Sequence, residues 1–182
     1  VDGINARGTV LGAEIYTGAS FEASALTDGT FAAASDFSIN GTDVDLSGAS
    51  SLTDVVDEIN KAFSSTNVQA AKATETRISG IAASTNLAND DTLTINGATV
   101  TLQAADGVAE IAEKINNVAR QTGVEAVLNV GGTAFDLVDK NGGAIEIDNT
   151  SDAITVVGTT AEETYEPGLV LTTEIDGGIN IG

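Results

Sequence analysis

The sequence of 182 residues contains no Cys, His, Met or Trp and a single Pro. Without Cys there can be no disulfide bond, and without Cys and His there is no zinc site of the usual ligands. The same two absences exclude a Ser-His-Asp triad and nucleophilic catalysis by Cys or His. Composition alone therefore excludes most enzyme classes, before any motif is considered.

Basic side chains are scarce too: 7 Lys and Arg stand against 27 Asp and Glu, for a net charge of −20. Such a chain repels phosphate groups, so we expect neither nucleic acid nor an anionic membrane as a partner. No apolar run approaches the ~20 residues of a membrane span, and no signal-peptide pattern is present, so no membrane insertion is expected. Because the sequence starts at Val1 and has no Met, we expect a piece of a longer protein.

The sequence does contain an internal repeat, which is the first feature to look for in a chain. Residues 37–70 align without a gap with residues 93–126. The identical pairs include Ile39 with Ile95, Asn40 with Asn96, Gly41 with Gly97, Ile59 with Ile115, Asn60 with Asn116, and Thr66 with Thr122. An ungapped match of this length indicates a duplication.

Each copy begins with a pattern typical of a β-hairpin. In the first copy, apolar and polar residues alternate through 37–39 and 44–46, which is the period of a half-buried strand. Asn40 and Gly41 lie between these segments, and Asn-Gly accepts positive φ at both central positions of a type I′ turn. Asn96 and Gly97 occupy the same place in the second copy.

An amphipathic helix is predicted after each hairpin, because apolar residues recur at steps of three and four. They are Leu52, Val55, Val56, Ile59, Ala62 and Phe63 in the first copy, and Val108, Ile111, Ala112, Ile115, Val118 and Ala119 in the second. Ser51 with Asp54 predicts an N-terminal cap for the first helix, and Asp106 with Glu110 predicts a looser one for the second.

The C-terminal ends of the two predicted helices also agree. Asn67 and Gly123 occupy equivalent positions, and these residue types accept the left-handed conformation that ends many helices. Strands are predicted to follow at 68–73 and 124–130. Each copy is therefore interpreted as a ββαβ unit.

The predicted fold class is α+β, with two tandem ββαβ modules and additional β-strands from both ends of the chain. We divide the chain into a β-rich segment 1–36, a first module 37–92, a second module 93–150, and a β-rich segment 151–182. Residues 77–91 are interpreted as an Ala- and Asn-rich connection. Further strands are predicted at 135–138, 144–147, 154–157 and 169–174. The chain ends, 1–5 and 175–180, are similar in sequence and are predicted to pair as neighbouring strands.

At Ile59-Asn60 and Ile115-Asn116 the chain resembles the IN motif of bacterial flagellins and hook-associated proteins. The resemblance includes the Asn-Gly hairpin, the helix that ends in Ile-Asn, and the segment Thr-Gly-Val-Glu-Ala at 122–126. In the first copy that segment is Thr-Asn-Val-Gln-Ala, at 66–70. The chain is thus identified as similar to the variable outer region of a flagellin, with two tandem IN motifs and without the long terminal helices of that family.

The resemblance implies a structural protein: a surface-exposed outer domain of a flagellar filament subunit, extracellular and serving bacterial motility. It implies assembly with other flagellin subunits through terminal regions that this sequence lacks, and neither a cofactor nor a catalytic or metal site. The motif residues, predicted to be structural, are Asn40, Gly41, Ile59, Asn60, Asn96, Gly97, Ile115, Asn116 and Gly123. For Asn60 and Asn116 we expect a hydrogen bond from the helix end to a nearby loop.

Three other assignments remain open from the sequence. A domain of a flagellar cap or hook–filament junction protein would carry the same motif, and a secreted adhesin or surface-layer module could contain similar repeats. A carboxylate pair, as in glycosidases, is the one catalytic chemistry that the composition leaves open. With 5 Phe, 2 Tyr and no Trp, the chain has few aromatic surfaces for stacking a sugar, so we do not expect an enzyme.

Acidic clusters raise the hypothesis of a calcium site, since carboxylate oxygens are calcium ligands. The clusters are Asp43 with Asp45, Asp90 with Asp91, and Asp148 with Asp152. No EF-hand or nonapeptide calcium pattern is present, so chance clustering in an acidic chain is the preferred interpretation.

Glycosylation is the remaining hypothesis. Sequons for N-glycosylation begin at Asn40 and Asn149, although Asn40 is better explained as a turn residue. We also hypothesise O-glycans on loop residues such as Ser84, Thr85 or Ser151.

Overall fold

The computed structural model describes residues 14–18, 21–22, 37–149, 153–155, 162–174 and 178–182. These residues form a mixed α and β structure with mostly strands. In chain order the elements are β1 (Glu14–Thr17), β2 (Phe21–Glu22), β3 (Ser38–Ile39), β4 (Thr42–Asp43), α1 (Leu52–Lys61), α2 (Phe63–Thr66), β5 (Val68–Lys72), β6 (Thr76–Ala83), β7 (Thr92–Ile95), β8 (Ala98–Thr101), α3 (Val108–Asn117), α4 (Ala119–Thr122), β9 (Val124–Leu128), β10 (Phe135–Asp139), β11 (Ile145–Asp148), β12 (Ile154–Thr155), β13 (Glu162–Glu166) and β14 (Leu169–Thr173).

The chain divides into two compact units. Unit 1 comprises Val1–Ala73 and Gly168–Gly182, and unit 2 comprises Thr74–Pro167. Unit 2 is continuous in sequence, whereas unit 1 takes strands from both sides of it. The predicted tandem arrangement of two consecutive modules is therefore not confirmed. The boundaries after residues 36, 92 and 150 describe the sequence repeat and stay a prediction.

Unit 1 contains an antiparallel three-stranded sheet in the order β1-β14-β5, and α1 packs against β5. Its hairpin, β3 and β4, is joined by the end of the chain through a bridge between Ile39 and Ile181. The core of unit 1 consists of buried apolar residues from the hairpin, the helix and the sheet. These are Ile39, Val44, Leu46, Ala49, Leu52, Val55, Ile59, Val68, Ala70 and Leu171.

Unit 2 contains a sheet in the order β12-β6-β10-β9. Its other strands pair in the order β13, β11, β7 and β8. Helix α3 packs against β9, as α1 does against β5. A separate core fills this unit, and its fully buried large side chains include Ile81, Leu93, Ile95, Leu102, Ile111, Ile115, Phe135 and Leu137.

Both hairpin turns have the backbone geometry predicted from the Asn-Gly dipeptides. Asn40 and Gly41 have φ values of 52° and 74°, and Asn96 and Gly97 have 46° and 77°. Positive φ at both central positions is the mark of a type I′ turn, whose twist matches that of the flanking strands. The second strand of the first hairpin, predicted at 44–46, is instead Thr42–Asp43, because the two-residue turn pairs Ile39 directly with Thr42.

The helices bury the predicted stripe, with one exception. Leu52, Val55 and Ile59 are buried in α1, but Phe63 is 43% exposed, so its assignment to the buried face is wrong. The stripe assumes an unbroken helix, whereas α1 ends at Lys61 and the chain turns at Ala62 before α2 begins. That break rotates Phe63 off the buried face.

One of the two predicted N-terminal caps is confirmed. The Ser51 hydroxyl accepts a hydrogen bond from the Asp54 N–H at 3.2 Å. The cap at Asp106 is wrong, because Gly107 is the capping residue of α3 and its N–H donates to Glu110 Oε2 at 3.1 Å. At the other end, Asn67 and Gly123 have φ values of 55° and 78°, so both left-handed C-terminal positions are confirmed.

The strand predictions are confirmed for β5, β10, β11 and β14 to within one residue at each end. The segment predicted at 124–130 ends at Leu128. Strands β6 and β13 were missed. Gly80, with φ of 79°, interrupts the apolar pattern of β6 beside an irregular register with β10, and β13 is mostly Glu and Thr.

The predicted pairing of the chain ends is only partly open to comparison, since residues 1–5 lie outside the described residues. The C-terminal end of the chain pairs with the first hairpin. The Ser38 N–H donates to the Gly182 carbonyl and the Gly182 N–H donates to the Ser38 carbonyl, both at 3.1 Å. None of the helices in the described ranges is long and apolar enough to cross a membrane.

Gly123→Ala should lower the stability of unit 2 by about 1–2 kcal/mol, because an alanine at φ of 78° is strained. An added Cβ would lie 3.5 Å from Asp139 Oδ2, an ordinary contact, so strain is the sole cause. The matched variant Asn67→Gly should leave unit 1 unchanged or stabilise it. Residue-resolved hydrogen exchange measures both, and equal protection in Gly123→Ala and the parent would contradict this prediction.

Candidate functional site

The predicted motif residues of each unit come together where the helices lead into the next strand. We name two sets of residues for this site. The first junction comprises Asn40, Asn60, Thr66 and Asn67, and the second junction comprises Asn96, Asn116, Thr122 and Gly123. Ile59 and Ile115 lie one residue before the helical Asn of each junction and are fully buried in the two cores.

The helical Asn of each junction bonds in both directions to one residue of the following strand. Asn60 Nδ2 donates to the Ala70 carbonyl at 3.0 Å, and Asn60 Oδ1 accepts from the Ala70 N–H at 2.8 Å. The corresponding distances between Asn116 and Ala126 are 2.9 and 2.8 Å. The partner is a strand, not the loop that the sequence led us to expect.

This arrangement covers the free edge of a sheet. Among the described strands, β5 and β9 each lie at the edge of a sheet, and an edge strand leaves N–H and C=O groups without a neighbouring strand. The amide of Asn60 or Asn116 supplies one donor and one acceptor, as a residue of an additional strand would. The helix is thereby fixed over its strand at one register.

The turn Asn of each junction connects three elements. Asn40 Nδ2 donates to the Thr66 carbonyl at 3.0 Å, and Asn40 Oδ1 accepts from the Asn180 N–H at 2.9 Å. In unit 2, Asn96 Nδ2 donates to the Thr122 carbonyl at 2.8 Å, and Asn96 Oδ1 accepts from the Glu146 N–H at 2.8 Å. One side chain thus joins the hairpin turn and the end of the short helix to β11 in unit 2, and to residues 178–182 in unit 1.

Thr66 and Thr122 are functional members of the junctions that the sequence analysis did not single out. They are 1% and 6% exposed. The Thr66 hydroxyl donates to the Ala62 carbonyl at 3.1 Å and accepts from the Val68 N–H at 3.2 Å. Thr122 bonds in the same way to Val118 and Val124. Their identity in the two copies was the available signal.

Charged groups of unit 2 show two downward pKa shifts. Burial raises the pKa of Asp106, but hydrogen bonds from Lys114 and the Gln103 N–H lower it by more than burial raises it. The pKa of Asp106 therefore lies below its usual value. The pKa of Asp136 follows the same balance, with Arg77 and the Gly80 N–H outweighing burial.

The side chains of Asn40, Asn60, Thr66, Asn96, Asn116 and Thr122 are amides and hydroxyls bonded to the main chain of their own unit. Within the described ranges, no three Asp or Glu residues are placed to hold a metal ion. Carboxylates of two acidic clusters accept from loop N–H groups instead. Asp45 accepts from Ser47 at 2.9 Å, and Asp91 accepts from Ala88 at 2.7 Å.

The two sequons do not present free amides. Asn149 is fully buried, and its side chain bonds Ile154 and Ala153 at 2.8 and 2.9 Å. The Asn40 amide belongs to the first junction. Among the O-glycan candidates, Thr85 is exposed and Ser84 is half-buried, whereas Ser151 lies outside the described residues.

Comparison with known families identifies one match. The family model described as the flagellin hook IN motif matches residues 92–136, which extend from β7 into β10 and include the whole second junction. Among curated proteins, none matches the chain. The family match supports a flagellin-type domain and a flagellin-related structural protein.

Asn116→Ala should destabilise unit 2 by about 1–3 kcal/mol, because the N–H and C=O of Ala126 lose their partner. The amide proton of Ala126 should exchange faster. Asn117→Ala is the control, since Asn117 is the exposed neighbour on the same helix. Equal effects of the two substitutions on hydrogen exchange would contradict the role given to Asn116.

Unit 2 should lose stability as the pH falls below about 4, near the ordinary pKa of Asp. Because the folded-state pKa of Asp106 is lowered, its charged form stabilises the fold above that pH, and the contribution is lost as the pH falls through the folded value. Asp106→Asn and Lys114→Met should both flatten this part of the curve. Urea midpoints measured from pH 5 to about pH 2 test this, and three parallel curves would refute it.

Proposed function

We propose that the chain is a surface-exposed outer domain of a flagellar filament subunit, which serves bacterial motility from the outside of the cell. The single observation that carries this proposal is the flagellin hook IN motif at 92–136, folded as a hairpin, a helix pair and an edge strand around the second junction. The first junction has the same hydrogen bonds, so we extend the motif to residues 37–70.

A structural function agrees with the chemistry of the junctions. Asn60 and Asn116 each use an N–H and the carbonyl oxygen of the side chain on the main chain of their own unit. A residue that recognised a ligand would need those atoms free. The proposal therefore includes that the protein is not an enzyme and that the motif residues act by holding the fold.

The charge fits a surface that is repeated many times along a polymer. A net charge of −20 makes neighbouring copies repel one another where they come within the Debye length of about 8 Å. Such a surface stays soluble and does not adhere to its own copies. Assembly with other flagellin subunits is part of the proposal, as are O-glycans on exposed residues such as Thr85.

Two alternatives predict different locations. A domain of a cap or hook–filament junction protein would lie only at one end of the filament, and an adhesin or surface-layer module would lie on the cell wall. The flagellin hook IN motif is compatible with the first alternative as well. Location on the cell therefore discriminates among the three.

Antibodies raised against the purified chain should label flagella of the source bacterium along their whole length in immunogold electron microscopy. The control is the same serum after adsorption with the purified chain, which should remove the label. Gold confined to the filament tip or to its base would establish the cap or junction alternative. Gold on the cell wall without flagellar label would establish the surface-module alternative.

A further inference from the structure

We propose that the loop at 129–134, between β9 and β10 of unit 2, is an acceptor site for a further folded domain. The inserted domain would be part of the same polypeptide, with its two ends side by side. The proposal derives from the position of unit 2 in the sequence, between the two segments of unit 1. It is independent of any role on the flagellum.

The strands on either side of this loop have counterparts in unit 1. In unit 2, β9 pairs with β10 so that Ala126 lies opposite Leu137. In unit 1, β5 pairs with β14 so that Ala70 lies opposite Leu171. Ala70 and Ala126 are also the partners of the helical Asn in the two junctions, so the two strand pairs are equivalent residue by residue.

The equivalence continues across the other edge of β10 and β14. Leu137 lies opposite Ile78 of β6, and Leu171 lies opposite Tyr16 of β1. Each sheet therefore has the same three antiparallel strands in the same register. Of these strands, the sequence repeat at 37–70 and 93–126 includes only β5 and β9.

The segment that pairs with each hairpin is equivalent as well. Ile147 pairs with Ile95 in the second hairpin, and Ile181 forms a bridge with Ile39 in the first. Both segments follow a Gly-rich stretch and have the pattern Ile-x-Ile. The copy thus includes the segment of unit 1 that follows unit 2 in sequence, whereas β12 and β13 of unit 2 have no counterpart among the described residues of unit 1.

The two units differ in what joins the equivalent strand pairs. In unit 2 the connection closes with a hydrogen bond from the Asn129 N–H to the Ala134 carbonyl at 2.9 Å. In unit 1 the Ala73 N–H donates to the Gly168 carbonyl at 2.7 Å, with 74–167 between them. Both bonds occupy the same position relative to their strands, so one unit has a short loop where the other has an entire domain.

The hydrogen bonds of the loop lie within the loop itself, so an insertion there would leave the rest of unit 2 undisturbed. Val130 is fully exposed, and nothing lies within 4 Å of a Cβ added at Gly132. The Asn129 side chain bonds Thr133, which belongs to the same loop. Breaking the loop between Gly131 and Gly132 therefore removes only local interactions.

The test is made on the full chain, in two steps. First, a flexible Gly/Ser segment of about 12 residues is inserted between Gly131 and Gly132. Second, the segment is replaced by an unrelated fluorescent domain whose ends lie about 5 Å apart, as neighbouring strands do. In both variants we expect the exchange protection of the Ala126 amide to remain within about threefold of the parent, and the domain to fluoresce.

The control places the same insertions between Asn96 and Gly97, the other tight turn of unit 2. There we expect loss of Ala126 protection by more than about tenfold, because Asn96 joins three elements. The proposal is overturned if either insertion at 131/132 abolishes protection. It is also overturned if the 96/97 insertions are tolerated equally well, since the loop at 129–134 would then have no special status.

Discussion

In each unit, one Asn side chain at the end of a helix bonds the N–H and C=O of a single strand residue, Asn60 with Ala70 and Asn116 with Ala126. Each bond contributes about 0.5–1.5 kcal/mol, whereas burial of Ile59 or Ile115 beside it contributes about 1.5–3 kcal/mol. The two bonds of each Asn together therefore contribute about as much as this burial, and the amide decides the register. A shift by one residue would leave both the amide and the edge strand without partners.

A unit held together in this way keeps its fold when another domain is inserted into its sequence. The chain leaves the sheet of unit 1 after β5 and returns to it in β14. Ala70 still pairs with Leu171, although residues 74–167 lie between the two strands in sequence. Among the described residues, each unit has its own apolar core. For a structural protein, this permits the addition of whole domains while the existing ones keep their packing.

Sequence reasoning was most successful where local chemistry decides the structure. The Asn40-Gly41 turn, the Ser51 cap and the left-handed Asn67 and Gly123 were predictable from residue type and spacing. Phe63 was mispredicted because the helix breaks at Ala62, and Asp106 was mispredicted because Gly107 caps the helix and its N–H bonds Glu110. Both outcomes depend on contacts with neighbouring residues and not on residue type alone. The partners of the junctions were harder still. Nothing near Asn40 in sequence indicates Asn180, and the nested course of unit 1 depends on pairing between distant strands.

Residues 178–182 follow unit 2 in sequence and pair with the first hairpin of unit 1, as β11 pairs with the second hairpin. Nuclear Overhauser contacts of the intact chain test this most directly. The account predicts cross-strand contacts between Ile39 and Ile181, in the pattern that joins Ile95 to Ile147. Contacts of Ile181 with any other strand, or none with Ile39 while the Ile95–Ile147 contacts are observed, would contradict it.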